Sequence, residues 1–345
     1  MKQLLMLVND FDYQLPPELI AQHPVEPRDH SRLLALDRSK NTLTDRIFYE
    51  LPQLLSPGDL LVFNDTKVIP ARLFAQKDGG SSRIEVFLLK QLSGSSWECL
   101  VRPGKRVKPG VKLLFEQGVA GTVLETTPAG GRIVEFPQGF DFRGWLGRVG
   151  HTPLPPYITE SLADPGRYQT VYAQAEGSVA APTAGLHFTE GLLKELRRRQ
   201  IESGFLTLHV GLGTFRPVQT ERVEEHLMHS EFFTLSSGLA GRIKETKKAG
   251  KRVIAVGTTA VRVLESQADE EGRLKAGSGE TAIFIYPGYK FKVVDGLITN
   301  FHLPRSTLLM LVSAFAGREF VLESYAYAVR KNYRFFSFGD AMIIL

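Results

Sequence analysis

A few short segments of this chain hold the residue types that chemistry needs. The densest runs Gly177-Ser178-Val179-Ala180-Ala181-Pro182-Thr183-Ala184-Gly185-Leu186-His187-Phe188-Thr189. Small residues let a ligand approach the backbone, and His187 stands just ahead of a helix start whose free N–H groups favour an anion. Thr183 and Gly185 are the candidate ligand contacts; the same string also reads as a tight loop serving turn geometry. In Leu208-His209-Val210-Gly211-Leu212-Gly213-Thr214-Phe215-Arg216-Pro217, the pair Gly211 and Gly213 directly follows a strand, where α/β proteins hold nucleotides. The third glycine of a dinucleotide fingerprint is missing, Phe215 and then Pro217 following instead, so this is another use of glycine or a turn.

His226 and His229 lie at i and i+3 beside Glu231. That spacing is not the i, i+4 pair of a helical zinc site, and no metal is expected. Glu231 orienting His229 for proton transfer is one reading, and a surface ion pair the other. Thr299-Asn300-Phe301-His302-Leu303-Pro304-Arg305-Ser306-Thr307 is a polar loop feeding an apolar helix. His302 and Arg305 there could meet a carboxylate, or could simply serve the helix start. Tyr333 to Asp340 is aromatic enough to stack a base or to dock the tail on the core. Basic residues gather at Arg102, Lys105, Arg106 and Lys108 in a Pro/Gly-pinned loop, and at Lys194, Arg197, Arg198 and Arg199 on a helix. The loop is the better candidate for tracking phosphates, the helix reading by default as a solvated face.

The elements that position these residues fall into two classes. Between Ala71 and Gly150, β-rich runs follow one another with no helical period: Ala71–Lys77, Ile84–Lys90, Trp97–Arg102, Lys112–Gln117, Ala120–Thr127 and Arg132–Pro137. Gly-rich turns separate them, which predicts a β-barrel. On either side strands alternate with helices. Leu60–Phe63 reads as a strand ending at Asn64-Asp65-Thr66; Thr189 caps a helix through Gln200, with Gly204 marking its end and Phe205–Val210 a buried strand. Ser237 caps a helix that Gly250 stops, Arg252–Val256 is a strand, and Gly257-Thr258-Thr259 opens the next helix. Further β runs are expected at Thr281–Tyr286 and Lys292–Val294, then a helix at Thr307–Phe315. The expected architecture is a discontinuous α/β catalytic domain, residues 1–69 and 151–345, with an all-β barrel domain inserted at 70–150.

Of the 345 residues, 43% are hydrophobic and 23% charged, the balance of a globular protein, which excludes disorder, collagen and coiled coil. Cys99 is the single cysteine, so no internal disulfide and no Cys-rich metal site can form. The longest apolar stretch, Leu308 to Ala316 around Ser313, is about half of the ~20 residues a membrane span needs. Leu4 to Val8 is too short for a signal-peptide core. A cytoplasmic, reduced, monomeric protein with no membrane association and no obligate protein partner is expected. The net charge of +5 permits a polyanionic partner such as RNA without demanding one.

Taken together and in this order, the segments resemble one family. The matching strings include Gly58-Asp59-Leu60-Leu61-Val62-Phe63-Asn64-Asp65-Thr66, Pro153-Leu154-Pro155-Pro156-Tyr157-Ile158, Ala180 to Phe188, Met228-His229-Ser230-Glu231 and Thr299 to Pro304, within a match from Asp10 to Met342. The chain is similar to the S-adenosylmethionine:tRNA ribosyltransferase-isomerases of queuosine biosynthesis. Met1 to Leu5 precede the usual family start, which makes Met6 the expected initiator. The resemblance implies that the ribosyl part of S-adenosylmethionine, a consumed co-substrate, moves onto the 7-aminomethyl-7-deazaguanine base of a tRNA anticodon. There it is rearranged to an epoxycyclopentane, with release of adenine and methionine.

That reaction needs a base for a C5′ proton acidified by the sulfonium, and a donor to help adenine leave. Histidine suits both roles. His187 or His302 is the expected base, with His229 and Glu231 as the runner-up pair. The methionine carboxylate calls for Arg305, Arg216 or the Thr258 and Thr259 amides, and the ribose hydroxyls for Asp65 or Asn64. His209, Gly211 and Gly213 complete the expected cofactor-binding set, and the charged sulfonium makes a metal unnecessary. Two other readings stay open: a methyltransferase using the same cofactor, whose acidic-x-Gly-x-Gly-x-Gly fingerprint is absent here, and a non-catalytic RNA-binding module built from the barrel and its basic loop.

Overall fold

The computed structural model describes residues 6–128, 130–160, 162, 164–211 and 218–345. Leu212 to Pro217, and with them Gly213 and Arg216, lie outside the described residues, as does Met1 to Leu5. The chain forms two compact units: one from the described parts of 1–66, 156–175 and 181–345, the other from 67–155 and 176–180. The second unit begins earlier and ends later than a 70–150 insertion and takes in a short returning segment as well.

The first unit is a mixed α/β fold on a nine-stranded sheet. Its strands run in the order Gly277–Thr281, Glu231–Leu235, Glu202–Leu208, Leu60–Asn64, Val253–Val256, Gly296–Asn300, Ala341–Ile344, Arg32–Asp37, Thr42–Ile47. The middle four, from Glu202–Leu208 to Gly296–Asn300, are mutually parallel. Leu60 to Asn64 are all buried, as a central parallel strand covered on both faces should be. Leu61 and Phe63 pack with Leu192 and Leu196 of the helix Glu190–Arg198 in one cluster that also holds Phe48, Phe188, Ile254 and Ile298. Thr189 caps that helix, its Oγ1 accepting from the Leu192 N–H at 3.0 Å.

Gly204 does not end a helix; it lies inside the strand Glu202–Leu208. A Cβ there would come within 2.4 Å of Leu239 Cδ1, so the glycine lets the helix Ser237–Lys248 settle on the strand. Ser236 rather than Ser237 caps that helix, accepting from the Leu239 N–H at 3.2 Å. The run expected as a strand at Thr281–Tyr286 has pairing only up to Thr281. Lys292–Val294 is not a strand either, because its backbone donors go elsewhere: the N–H groups of Lys292, Val293 and Val294 all donate to the buried Glu265 carboxylate, at 2.8–3.1 Å. The aromatic tail docks on the core, with Tyr333 and Phe335 fully buried.

The second unit is a closed barrel of six antiparallel strands: Arg72–Lys77, Arg83–Gln91, Ser96–Arg102, Lys112–Phe115, Ala120–Thr126 and Arg132–Glu135. These coincide with the β runs read from the sequence to within a few residues at each end. Val86, Leu88, Val123 and Val134 fill its interior with Cys99, whose thiol is pushed up by burial. A helix the periodicity did not reveal, Phe142–Val149, adds Trp145 against the rings of Phe115 and Phe136.

Glu265 is the sharpest test of the first unit. Replacing it with alanine strands three backbone N–H groups, each costing about 1–3 kcal/mol when left buried and unpaired. Glu265→Ala should therefore lower the unfolding free energy by about 3 kcal/mol or more in denaturant titration, and Glu265→Gln by less.

Candidate active site

The four parallel strands release their chain at one edge of the sheet, the edge at which open α/β folds bind ligands. Asn64, Leu208, Val256 and Asn300 end the strands there. Asn64 is fully buried, and its amide uses every bond it can make. Nδ2 donates to the Leu208 carbonyl at 2.9 Å and Thr259 Oγ1 at 3.2 Å; Oδ1 accepts from the Leu208 and Thr66 N–H groups at 3.0 and 3.2 Å. It is thus a clamp, with no bond left for a ribose hydroxyl. Asp65 keeps that possibility: its Oδ1 accepts from Thr207 Oγ1 at 2.6 Å, and among the described residues nothing bonds Oδ2. Thr66 Oγ1 lies 2.8 Å from His209 Nδ1, and the imidazole is half-buried against the Phe232 ring. Gly257, at φ +90°, turns the chain from its strand into the helix Thr258–Gln267, whose first turn carries Thr258 and Thr259.

A second set of polar groups surrounds His187. Its Nε2 is 3.1 Å from Asn300 Nδ2, which also donates to the Phe336 carbonyl, while Asn300 Oδ1 accepts from Thr183 Oγ1 at 3.0 Å. Nε2 is therefore the acceptor, and Nδ1–H donates to Ser31 Oγ at 2.7 Å. The ring stacks on Phe48. Gly185 is required beside it, because a Cβ would meet Tyr172 Oη at 1.9 Å. The adjoining cavity, lined by Arg28, Ser31, Ser337 and Phe338, measures about 20 Å³ and suits one water rather than a nucleoside. Burial, with Arg334 and Arg28 nearby, lowers the His187 pKa to about 3. His302 is likewise lowered to about 3 by burial, its Nε2 2.9 Å from Thr299 Oγ1 and its backbone held by Tyr13 and Tyr325. Both rings are weak bases in these surroundings, contrary to the role the sequence suggested for them.

Glu231 does not orient His229. Its carboxylate is buried, pairs with Arg262 and accepts from the Gly211 N–H at 2.9 Å, while His229 is exposed. Arg305 is also exposed and lies 3.8 Å from Asp12. In the barrel unit, Arg102, Lys105, Arg106 and Lys108 are all exposed. Their loop is shaped by Arg132, whose guanidinium donates to the carbonyls of Gly104, Val107, Gly130 and Gly131. Sequence reasoning missed Ser31, Arg132 and Arg262 as structural partners and named Thr66 and Asn300 only within the strings Asn64-Asp65-Thr66 and Thr299 to Pro304, without a role.

The buried histidines make stability pH-dependent. Each is neutral when folded down to about pH 3 but protonates near 6.5 when unfolded, so the unfolded state binds more protons between these values. Their contribution is complete above pH 6.5 and is lost as pH falls toward 3. Unfolding free energy should drop by about 1.4 kcal/mol per pH unit for each ring through that window, and His302→Gln should flatten the slope by one ring's share.

Comparison with known proteins identifies the family. Residues 8–344 match the family described as "Queuosine biosynthesis protein". The S-adenosylmethionine:tRNA ribosyltransferase-isomerase of Moorella thermoacetica is 59% identical over 342 residues, covering 99% of this chain and all of that protein. The protein of the same name from Halothermothrix orenii is 58% identical over 341 residues, with the same coverage. The crystal structure of an S-adenosylmethionine tRNA ribosyltransferase from Thermotoga maritima superposes with a TM-score of 0.56 at 42% identity, covering 97% of this chain and all of that one. With most of its length matched at this identity, the chain belongs to the S-adenosylmethionine:tRNA ribosyltransferase-isomerase family of queuosine biosynthesis enzymes.

Proposed function

We propose that this enzyme transfers the ribosyl moiety of S-adenosylmethionine to the 7-aminomethyl-7-deazaguanine base of a tRNA anticodon and isomerises it to the epoxycyclopentane of epoxyqueuosine, releasing adenine and methionine. The observation that carries the reading is the match along almost the entire chain to relatives bearing that activity in their names. The carboxyl edge of the parallel strands, where open α/β sheets bind ligands, gathers the polar groups such a substrate needs. Asp65 takes the ribose hydroxyls, and the amides of Thr258 and Thr259 face the methionine carboxylate, with Arg305 as a second cation. Thr183, Gly185, His209 and Gly211 line the cofactor. His187 and His302 hold their loops in place; His229 and Glu231 act apart. Arg102, Lys105, Arg106 and Lys108 track tRNA phosphates, and the cytoplasm is where the protein meets that tRNA, acting as a monomer without a metal.

The deciding experiment incubates the protein with S-adenosylmethionine and tRNA carrying the aminomethyl base, and identifies the small products by mass spectrometry. Adenine and methionine in equal amounts, dependent on that tRNA, are expected. S-adenosylhomocysteine would mean methyl transfer, and tRNA binding without turnover a binding module. Replacing Lys105, Arg106 and Lys108 together with alanine should weaken tRNA binding and flatten its salt dependence by about 0.7–0.9 in the log–log slope for each phosphate that is no longer neutralised.

A further inference from the structure

We propose that His209 is the general base of this reaction, its Nε2 removing the C5′ proton of S-adenosylmethionine; the assignment rests on the function proposed above. The loop histidines differ in what their nitrogens already do. His187 spends both on Asn300 and Ser31, His302 is buried with Nε2 on Thr299, and His229 is exposed without Glu231 to orient it. His302 too is bonded at one nitrogen only, but its ring is buried, whereas His209 combines a ring fixed at Nδ1 with an open Nε2 and partial exposure. Its Nδ1 sits 2.8 Å from Thr66 Oγ1, and that hydroxyl also lies 3.4 Å from the Ala175 carbonyl, to which it can only donate. Thr66 Oγ1 therefore accepts from Nδ1–H, which places the lone pair on Nε2, and among the described residues nothing bonds that atom.

The ring is braced for the task. Phe232 lies nearly parallel to it, at 6.0 Å between centroids and 17° between planes, and the His209 N–H donates to the Phe232 carbonyl at 2.9 Å. The preceding residue, Leu208, is clamped through both backbone groups by Asn64. Burial lowers the His209 pKa, which keeps Nε2 unprotonated at neutral pH, and the Asp65 charge opposes that shift and steadies the imidazolium once formed. In the step itself, the Nε2 lone pair takes the C5′ proton and the C–H electron pair stays on carbon beside the sulfonium. Nδ1–H goes on donating to Thr66 throughout.

The test starts with wild type in the assay above; no release of adenine and methionine there would refute the function rather than the residue. With an active wild type, His209→Ala should lose about 100-fold or more in kcat while binding S-adenosylmethionine within a few-fold of normal, and added imidazole should restore part of the rate. His209→Gln, which keeps a hydrogen-bonding side chain of similar reach, serves if the alanine variant does not fold and should show the same loss. Thr66→Val should lower kcat about tenfold or more with KM little changed, because the ring is no longer held in the useful tautomer. Turnover by His209→Ala or His209→Gln within about fivefold of wild type overturns the assignment. So does a defect that lies in S-adenosylmethionine binding with kcat preserved.

Discussion

The Asn64 side chain is the contact on which the functional edge of this molecule depends. One buried amide bonds both backbone groups of Leu208, the Thr66 N–H and Thr259 Oγ1. The regular ladder between the strands Glu202–Leu208 and Leu60–Asn64 stops at Asn64 opposite Leu206, so beyond that point the amide replaces a backbone pair. It lets the strands part while keeping their ends in register. Three consequences meet there: Leu208 fixes His209, Thr66 is turned to bond that imidazole, and Thr259 is tied into the first turn of its helix. A buried amide with all its bonds made holds one geometry; left half-bonded, it would be a site of instability.

The opposite edge of the same sheet is built from charges instead. Asp59, 1% exposed, accepts from Arg252 at 2.5 Å and from the Ser56 N–H at 2.8 Å, just before the strand Leu60–Asn64 begins. Asp295 takes the Val253 N–H at 2.8 Å and the Lys247 ammonium at 2.6 Å, before the strand Gly296–Asn300. Carboxylates thus tie the amino ends of neighbouring strands together. At the carboxyl ends, neutral amides, hydroxyls and imidazoles gather beside Asp65 and the buried Glu231–Arg262 pair, whose carboxylate takes the Gly211 N–H.

The barrel was legible from sequence because each strand carries its own β-rich run and its own glycine turn, so local rules are sufficient there. The helix Glu190–Arg198 and its Thr189 cap were legible for the same reason. The sequence misled where long-range packing overrules local signals. Gly204 looks like punctuation until Leu239 is seen lying against it, and Lys292–Val294 looks like a strand until the Glu265 carboxylate is seen taking its amides. The strands Arg32–Asp37 and Ala341–Ile344 pair side by side although they stand at opposite ends of the chain, a relation no local pattern encodes.

The histidines show the same limit in chemical form. In the sequence, His187, His209 and His302 look equivalent: each follows a strand or precedes a helix, among small or polar neighbours. What separates them is supplied from afar. Ser31 and Asn300 close around His187, and Tyr13 and Tyr325 hold the loop of His302. Both rings are buried, which keeps them neutral. His209 receives a bond to only one nitrogen, from a residue two places beyond the end of the neighbouring strand, and keeps the other open. A proton-transfer group needs one nitrogen held and the other reachable; His187 is bonded at both nitrogens and His302, bonded at one, is buried, so neither meets both conditions.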